Sequence, residues 1–170
     1  MKKIGLCFLP AVFFLLCVLL VPYSGYGQKI PSFLGVGVGQ YNVFEKNSGT
    51  YYALDYRPPF GAYGIGTWIT LTGTEEGMGY YSAGILKDLY LSKSIIFTPS
   101  FGVGVYNQSG GEVILGDPVE FRSAIKLSYE VQDRSRIGIR FGHVSNAGLG
   151  ETNPGSEFIS IIYSIRLNTE

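Results

Sequence analysis

The chain has 170 residues, and its thirteen lysines and arginines balance thirteen aspartates and glutamates. No basic run or patch departs from that balance, which excludes the electrostatic footprint of a nucleic-acid partner. Glycine and aromatics are abundant and charge is sparse, with tyrosine the commonest aromatic, a composition unlike that of an ordinary soluble domain.

The opening MKKIGLCFLPAVFFLLCVLLVPYSGYGQ has the three parts of a secretory signal. Lys2 and Lys3 form a basic start, Ile4 to Val21 is almost wholly apolar, and Gly25 and Gly27 fall at −3 and −1 if cleavage precedes Gln28. The apolar run is also long enough for a retained anchor. The Pro22-to-Gly27 exit and the strand-rich chain behind it favour cleavage, so residues 1–27 are expected to be a cleaved signal peptide and 28–170 a single barrel domain. No small-residue lipobox precedes Cys7 or Cys17. Both cysteines lie in this signal, so the mature chain would lack disulfides, thiol chemistry and cysteine-held metals. A single histidine excludes a multi-histidine metal centre, and neither metal nor cofactor is expected. Loss of Lys2 and Lys3 leaves eleven basic against thirteen acidic residues.

Behind the signal no apolar run approaches the ~20 residues of a membrane helix. Alternation appears instead. In FLGVGVGQYNV, Leu34, Val36 and Val38 oppose Gly35, Gly37 and Gly39. In TYYALDYR, Tyr52, Leu54 and Tyr56 oppose Tyr51, Ala53 and Asp55. SIIFTPSFGVGVY and FRSAIKLSYEV repeat the pattern, the latter setting Phe121, Ile125, Leu127 and Tyr129 against Arg122, Lys126, Ser128 and Glu130. Eight strands are predicted, at about 33–43, 50–57, 61–72, 78–87, 94–106, 119–131, 135–144 and 156–167. They are long, and their polar faces carry many small residues, as a narrow barrel interior requires. The fold class is therefore all-β, an eight-stranded antiparallel transmembrane outer-membrane β-barrel, with a soluble lipocalin-like barrel as the alternative. RPPFG, KDLYLSK and QDRSR read as short connections at one end, NQSGGEVILGDP and SNAGLGETNPG as longer ones at the other. Tyr51, Tyr52, Tyr80, Tyr81 and Tyr106 are expected at interfacial girdles and Trp68 on the lipid face or in a girdle. Asp55, Arg57, Arg122, Lys126, Glu130 and Arg140 read as an inward plug of ion pairs. Glu75 and Glu76, in TGTEEG, read as a solvated loop.

The last two strands hold the candidate chemistry. In RIGIRFGHVS, His143 and Ser145 share the parity of the apolar Ile137, Ile139 and Phe141. In SEFISIIYSIRL, Glu157 shares the parity of Ile159, Ile161 and Tyr163. All three therefore face outward, and a hairpin can set Glu157 beside His143. A serine hydroxyl needs a base, histidine is suited to that role, and a carboxylate behind the imidazole fixes its tautomer. The Gly- and Asn-rich loop between them could present oxyanion donors. From the residues alone, a catalytic trio and an ordinary interfacial polar cluster both stay open.

The stretch HVSNAGLGETNPGSE resembles the signature of the lipid A 3-O-deacylase family, eight-stranded outer-membrane esterases. The motif is met by His143, Ser145, Asn146, Ala147, Asn153 and Glu157. The resemblance implies Ser145 as nucleophile, His143 as base and then acid, and Glu157 as the residue orienting it. It implies oxyanion or substrate contacts from Asn153, Asn146 and the backbone around Ala147 and Gly148. It implies lipid A of lipopolysaccharide in the outer leaflet as substrate, the ester-linked 3-hydroxyacyl chain at position 3 as the group released, and outer-membrane lipids as surroundings; a homodimer is left open. The chain ends IRLNTE, without the terminal aromatic typical of such barrels. Two competing functions are a phospholipase or esterase of other acyl esters and a non-catalytic structural or adhesive barrel.

Overall fold

Alternating side chains can satisfy a membrane and a packed interior at once only if the backbone closes on itself, because an open sheet edge in lipid leaves unpaired N–H and C=O groups. The computed structural model, which describes residues 30–107 and 115–167, closes in this way. The expected signal peptide lies outside the described residues. Eight long strands run Ser32–Tyr41, Gly49–Arg57, Ile65–Thr74, Gly79–Lys87, Ile95–Asn107, Val119–Glu130, Arg136–Ser145 and Ser156–Leu167. Each pairs antiparallel with its sequence neighbours, and the first pairs with the eighth from Ser32↔Leu167 to Tyr41↔Phe158. The result is an eight-stranded up-and-down outer-membrane-type β-barrel, the fold class the alternation predicts.

The third strand begins later than expected. Gly61–Ala62 folds back on Ile65 and Gly66 as a miniature hairpin. Its two central residues, Tyr63 and Gly64, both have positive φ, at 54° and 75°. That conformation matches a two-residue hairpin turn and interrupts the run read as one strand. A second two-residue segment, Leu89–Tyr90, pairs onto the start of the fifth strand.

Outward positions such as Val36, Leu54, Ile139 and Ile161 are exposed, and their neighbours in sequence are inward. The lumen has two layers. Near the longer loops Tyr41, Tyr51, Met78, Tyr80, Tyr106, Leu115, Val144 and Phe158 form an apolar cluster. Beneath it lie ion pairs: Arg140 with Asp55 at 2.7 Å, Arg57 with Asp88 at 3.1 Å, and Arg136 with both Asp88 and Glu130.

Two expectations are corrected here. Trp68 faces the lumen and is 4% exposed. Its indole N–H donates to the Ile85 carbonyl at 2.9 Å, and Arg122 stacks over its ring. Tyr51, Tyr80 and Tyr106 likewise point inward, leaving Tyr52 and Tyr81 on the outer wall. Inward aromatics fill lumen space, and two of them, the Trp68 indole and the Tyr80 hydroxyl, find backbone carbonyl acceptors there that lipid lacks. Glu75 and Glu76 are exposed in the turn after the third strand, as expected of a solvated loop, and accept the hydroxyls of Tyr52 and Tyr41.

Candidate active site

The seventh strand ends at Ser145 and the eighth begins at Ser156, with the loop between them at the end of the barrel that carries the longer connections. Glu157 and His143 are paired directly across the ladder. Their side chains meet on the outer wall, His143 Nδ1 lying 3.2 Å from Glu157 Oε1. Side-chain exposures of 42% and 34% leave the pair open to a partner approaching from outside the barrel. In the tautomer that carries its proton on Nδ1 the imidazole donates to the carboxylate across this contact, and Nε2 is then an acceptor. Val43 N–H, from the first loop, donates to the Glu157 carbonyl at 3.4 Å and ties the start of the eighth strand to that loop.

Ser145 lies two residues beyond His143 on the same outward face. Successive same-face residues on a strand are about 6.6 Å apart, and among the described residues no hydrogen bond joins the Ser145 hydroxyl to the imidazole, whose one side-chain partner is Glu157. The far side of the imidazole rests on Gly155, whose φ is +69°. A Cβ there would sit 2.7 Å from His143 Cε1 and 3.2 Å from Nε2. The motif does not single out Gly155, and only the folded loop brings it under the ring.

Asn146 is fully buried, and its side chain works within the loop. Its amide donates to Thr152 O at 2.7 Å and Leu115 O at 3.4 Å, while its Oδ1 accepts from Gly148 N–H at 2.9 Å. Asn153 Oδ1 accepts from Asn146 N–H at 3.1 Å, which leaves its NH₂ group as a donor. Ala147 and Gly148 both have positive φ, 56° and 80°, so the chain turns sharply directly after Ser145 and Asn146. Gly148 N–H is already taken by Asn146; Ala147 N–H has no acceptor among the described residues. Ala147 N–H and Asn153 Nδ2 are thus the donors of this turn without a partner among the described residues.

Around this polar patch the outer wall is apolar. Phe121 is paired across from Ser145 and stacks on Phe101 at 6.2 Å between centroids. Phe44 meets Phe141 edge-on at 6.2 Å. Ile159, 41% exposed, follows Glu157 on the same face. A polar trio framed by aromatic and aliphatic side chains suits a lipid ester, whose chain needs apolar cover and whose carbonyl needs donors.

The family model for lipid A 3-O-deacylase (PagL) matches residues 39–166. A lipid A deacylase PagL from Pseudomonas aeruginosa is 32% identical over 99 residues, covering 55% of this chain and 57% of that protein. One from Bordetella bronchiseptica is 36% identical over 50 residues, covering 29% and 28%. The chain thus spans a little over half the length of the first relative and under a third of the second. Among solved structures, the outer-membrane enzyme PagL aligns with a TM-score of 0.62 at 23% identity, over 79% of this chain and 99% of that one. Neisserial surface protein A aligns at 0.59 with 10% identity, over 80% and 97%. These two likenesses are of fold. The match to the family model covers most of the barrel, both strands of the candidate site included, and the chain belongs to the lipid A 3-O-deacylase (PagL) family.

Proposed function

We propose that the protein is an outer-membrane serine esterase that removes the 3-hydroxyacyl chain ester-linked at position 3 of lipid A. The reading rests on one observation above the rest: His143 and Glu157 are paired across strands on the outer wall, with Ser145 on the same face. A lipid held in the leaflet beside the barrel meets that face without being extracted. Residues 1–27 would be a removable export signal, and the end with the longer loops would lie at the outer leaflet.

Ser145 Oγ attacks the ester carbonyl while His143 Nε2 takes its proton. Glu157 stabilises the imidazolium through Nδ1–H. The carbonyl oxygen becomes an oxyanion that Ala147 N–H and Asn153 Nδ2 are free to bind. Collapse breaks the bond to the sugar oxygen, which leaves with the proton from His143 as a hydroxyl. Water, deprotonated by His143, then attacks the acyl-serine, releasing the fatty acid and restoring Ser145. Fold alone does not favour catalysis, since the surface protein NspA aligns about as well as the enzyme.

The test is mass spectrometry of lipid A from cells carrying the wild type or Ser145→Ala, with folding of both checked in the membrane. Loss of one 3-hydroxyacyl chain with the wild type only is expected. Intact lipid A alongside cleaved phospholipid would redirect the reading to another ester. No cleavage of either would leave a structural barrel.

A further inference from the structure

We propose that the barrel lumen is a binding site for one small monovalent anion of halide size, held between Arg122, Lys126 and Arg140. The argument starts from charge. Asp55 is taken by Arg140, Asp88 by Arg57 and Arg136, and Glu130 by Arg136 and Arg134. Arg122 and Lys126, both inward on the sixth strand, have no carboxylate within salt-bridge distance and no hydrogen-bond acceptor among the described residues. Glu120, one step nearer the loops on the same face, has carboxylate oxygens with no hydrogen-bond partner and does not pair with Arg122.

Arg122 is 5% exposed. Its guanidinium lies over Trp68 at 4.6 Å and Phe158 at 5.2 Å. Stacking occupies the faces of the guanidinium and leaves its N–H edge unused. Arginine cannot shed its proton, so this charge stays in the lumen and needs compensation.

The compensation has a place to sit. Arg122, Lys126, Arg140 and the Ser164 hydroxyl line a common cavity of about 40 Å³. A single water needs roughly 10–15 Å³ on this measure, so the space suits a halide with a water or two and is too small for a phosphate or an organic acid with its shell. Asp55 borders the same cavity, but its oxygens accept from Arg140 at 2.7 Å and from Thr70 at 2.6 Å, and neither Arg122 nor Lys126 forms an ion pair with it. An anion there lies against the lumen side of the sixth and seventh strands, where Lys126 and Arg140 are paired across the ladder.

The decisive experiment is diffraction at the bromine absorption edge from crystals of the detergent-folded chain grown or soaked in sodium bromide. An anomalous peak between Arg122 and Lys126 is expected. A map with bromide only on the outer surface, or with water alone in the cavity, would overturn the proposal. In solution, thermal unfolding should shift upward in chloride relative to gluconate at equal ionic strength, because the larger anion cannot enter. Lys126→Met should lose that chloride dependence; identical unfolding curves in both salts for the wild type would also sink the idea. The bromide map of the wild type decides the matter even if that variant does not fold.

Discussion

His143 Nδ1 and Glu157 Oε1 lie 3.2 Å apart on adjacent strands whose register sets the two residues directly opposite one another. Both are part-exposed, and an exposed pair of this kind contributes only ~0–1 kcal/mol to stability. In the proposed mechanism its value is orientational: with the imidazole proton on Nδ1 facing the carboxylate, Nε2 is left as the acceptor.

Replacing the carboxylate should therefore separate activity from stability. Glu157→Gln is expected to lower kcat for lipid A deacylation roughly 10²- to 10⁴-fold, as loss of the orienting carboxylate does in serine triads. Its unfolding midpoint should match the wild type. Full activity in Glu157→Gln would remove Glu157 from the mechanism.

Gly155 makes a sharper claim about geometry. Alanine would place a methyl group 2.7 Å from His143 Cε1 in a backbone conformation at φ +69° that L side chains rarely adopt. The ring must swing off its seat. Gly155→Ala should cut kcat about 10- to 100-fold while KM changes little, since small misplacements of a reacting group are costly. Steady-state kinetics on a short-chain ester checks the split, and a change in KM alone would contradict it.

Asn146 couples the site loop to the one before it. Its side chain holds Thr152, Gly148 and, across the gap, Leu115. Asn146→Ala leaves several buried groups unpaired and should destabilise the loop by ~1–3 kcal/mol. Limited proteolysis should then cut between residues 146 and 155, and deacylation should fall in parallel. Protection equal to wild type would show that the turn at Ala147 and Gly148 stands without it.

At the opposite end, pH gives a test independent of catalysis. Asp133 accepts the Ser135 hydroxyl at 2.6 Å and the Ser135 N–H at 2.9 Å, and these bonds hold its carboxyl below the usual carboxylate range. A lowered folded-state pKa contributes stability that is present above the unfolded value and is lost as pH falls through the folded one. Wild type should thus be more stable than Asp133→Asn near neutrality, with the difference fading below about pH 4. Thermal unfolding across that range checks the sign; a difference that grows on acidification would refute it.

How much of this was legible in advance follows from what alternation encodes. Period-two patterning divides each strand into two faces, and a barrel in a membrane has one apolar surroundings and one packed interior. Strand number, closure and the outward placement of His143, Ser145 and Glu157 were all readable on that basis. Residue type misleads where it is set against that parity. Trp68 shares a face with Thr70, and Tyr51, Tyr80 and Tyr106 share faces with Ala53, Ser82 and Gly104, so alternation puts all four in the lumen although aromatics as a class suit a membrane interface. Only the acceptor of the Trp68 indole, the Ile85 carbonyl, needed the fold to reveal it.

Parity also says nothing about which residues meet across a loop. The ten residues between Ser145 and Ser156 allow several registers, and ladder hydrogen bonding chose the one that pairs Glu157 with His143. Loop closure then put Gly155 beneath the imidazole and spent the Asn146 amide on backbone carbonyls. The sequence by itself determined a membrane barrel with a polar trio on its outer wall, because side-chain parity is local. Contacts across the barrel and its loops depend on residues far apart in the chain, so the seating of His143, the hydrogen bonds of Asn146 and the lack of an ion-pair partner for Arg122 and Lys126 were decided by the tertiary structure alone.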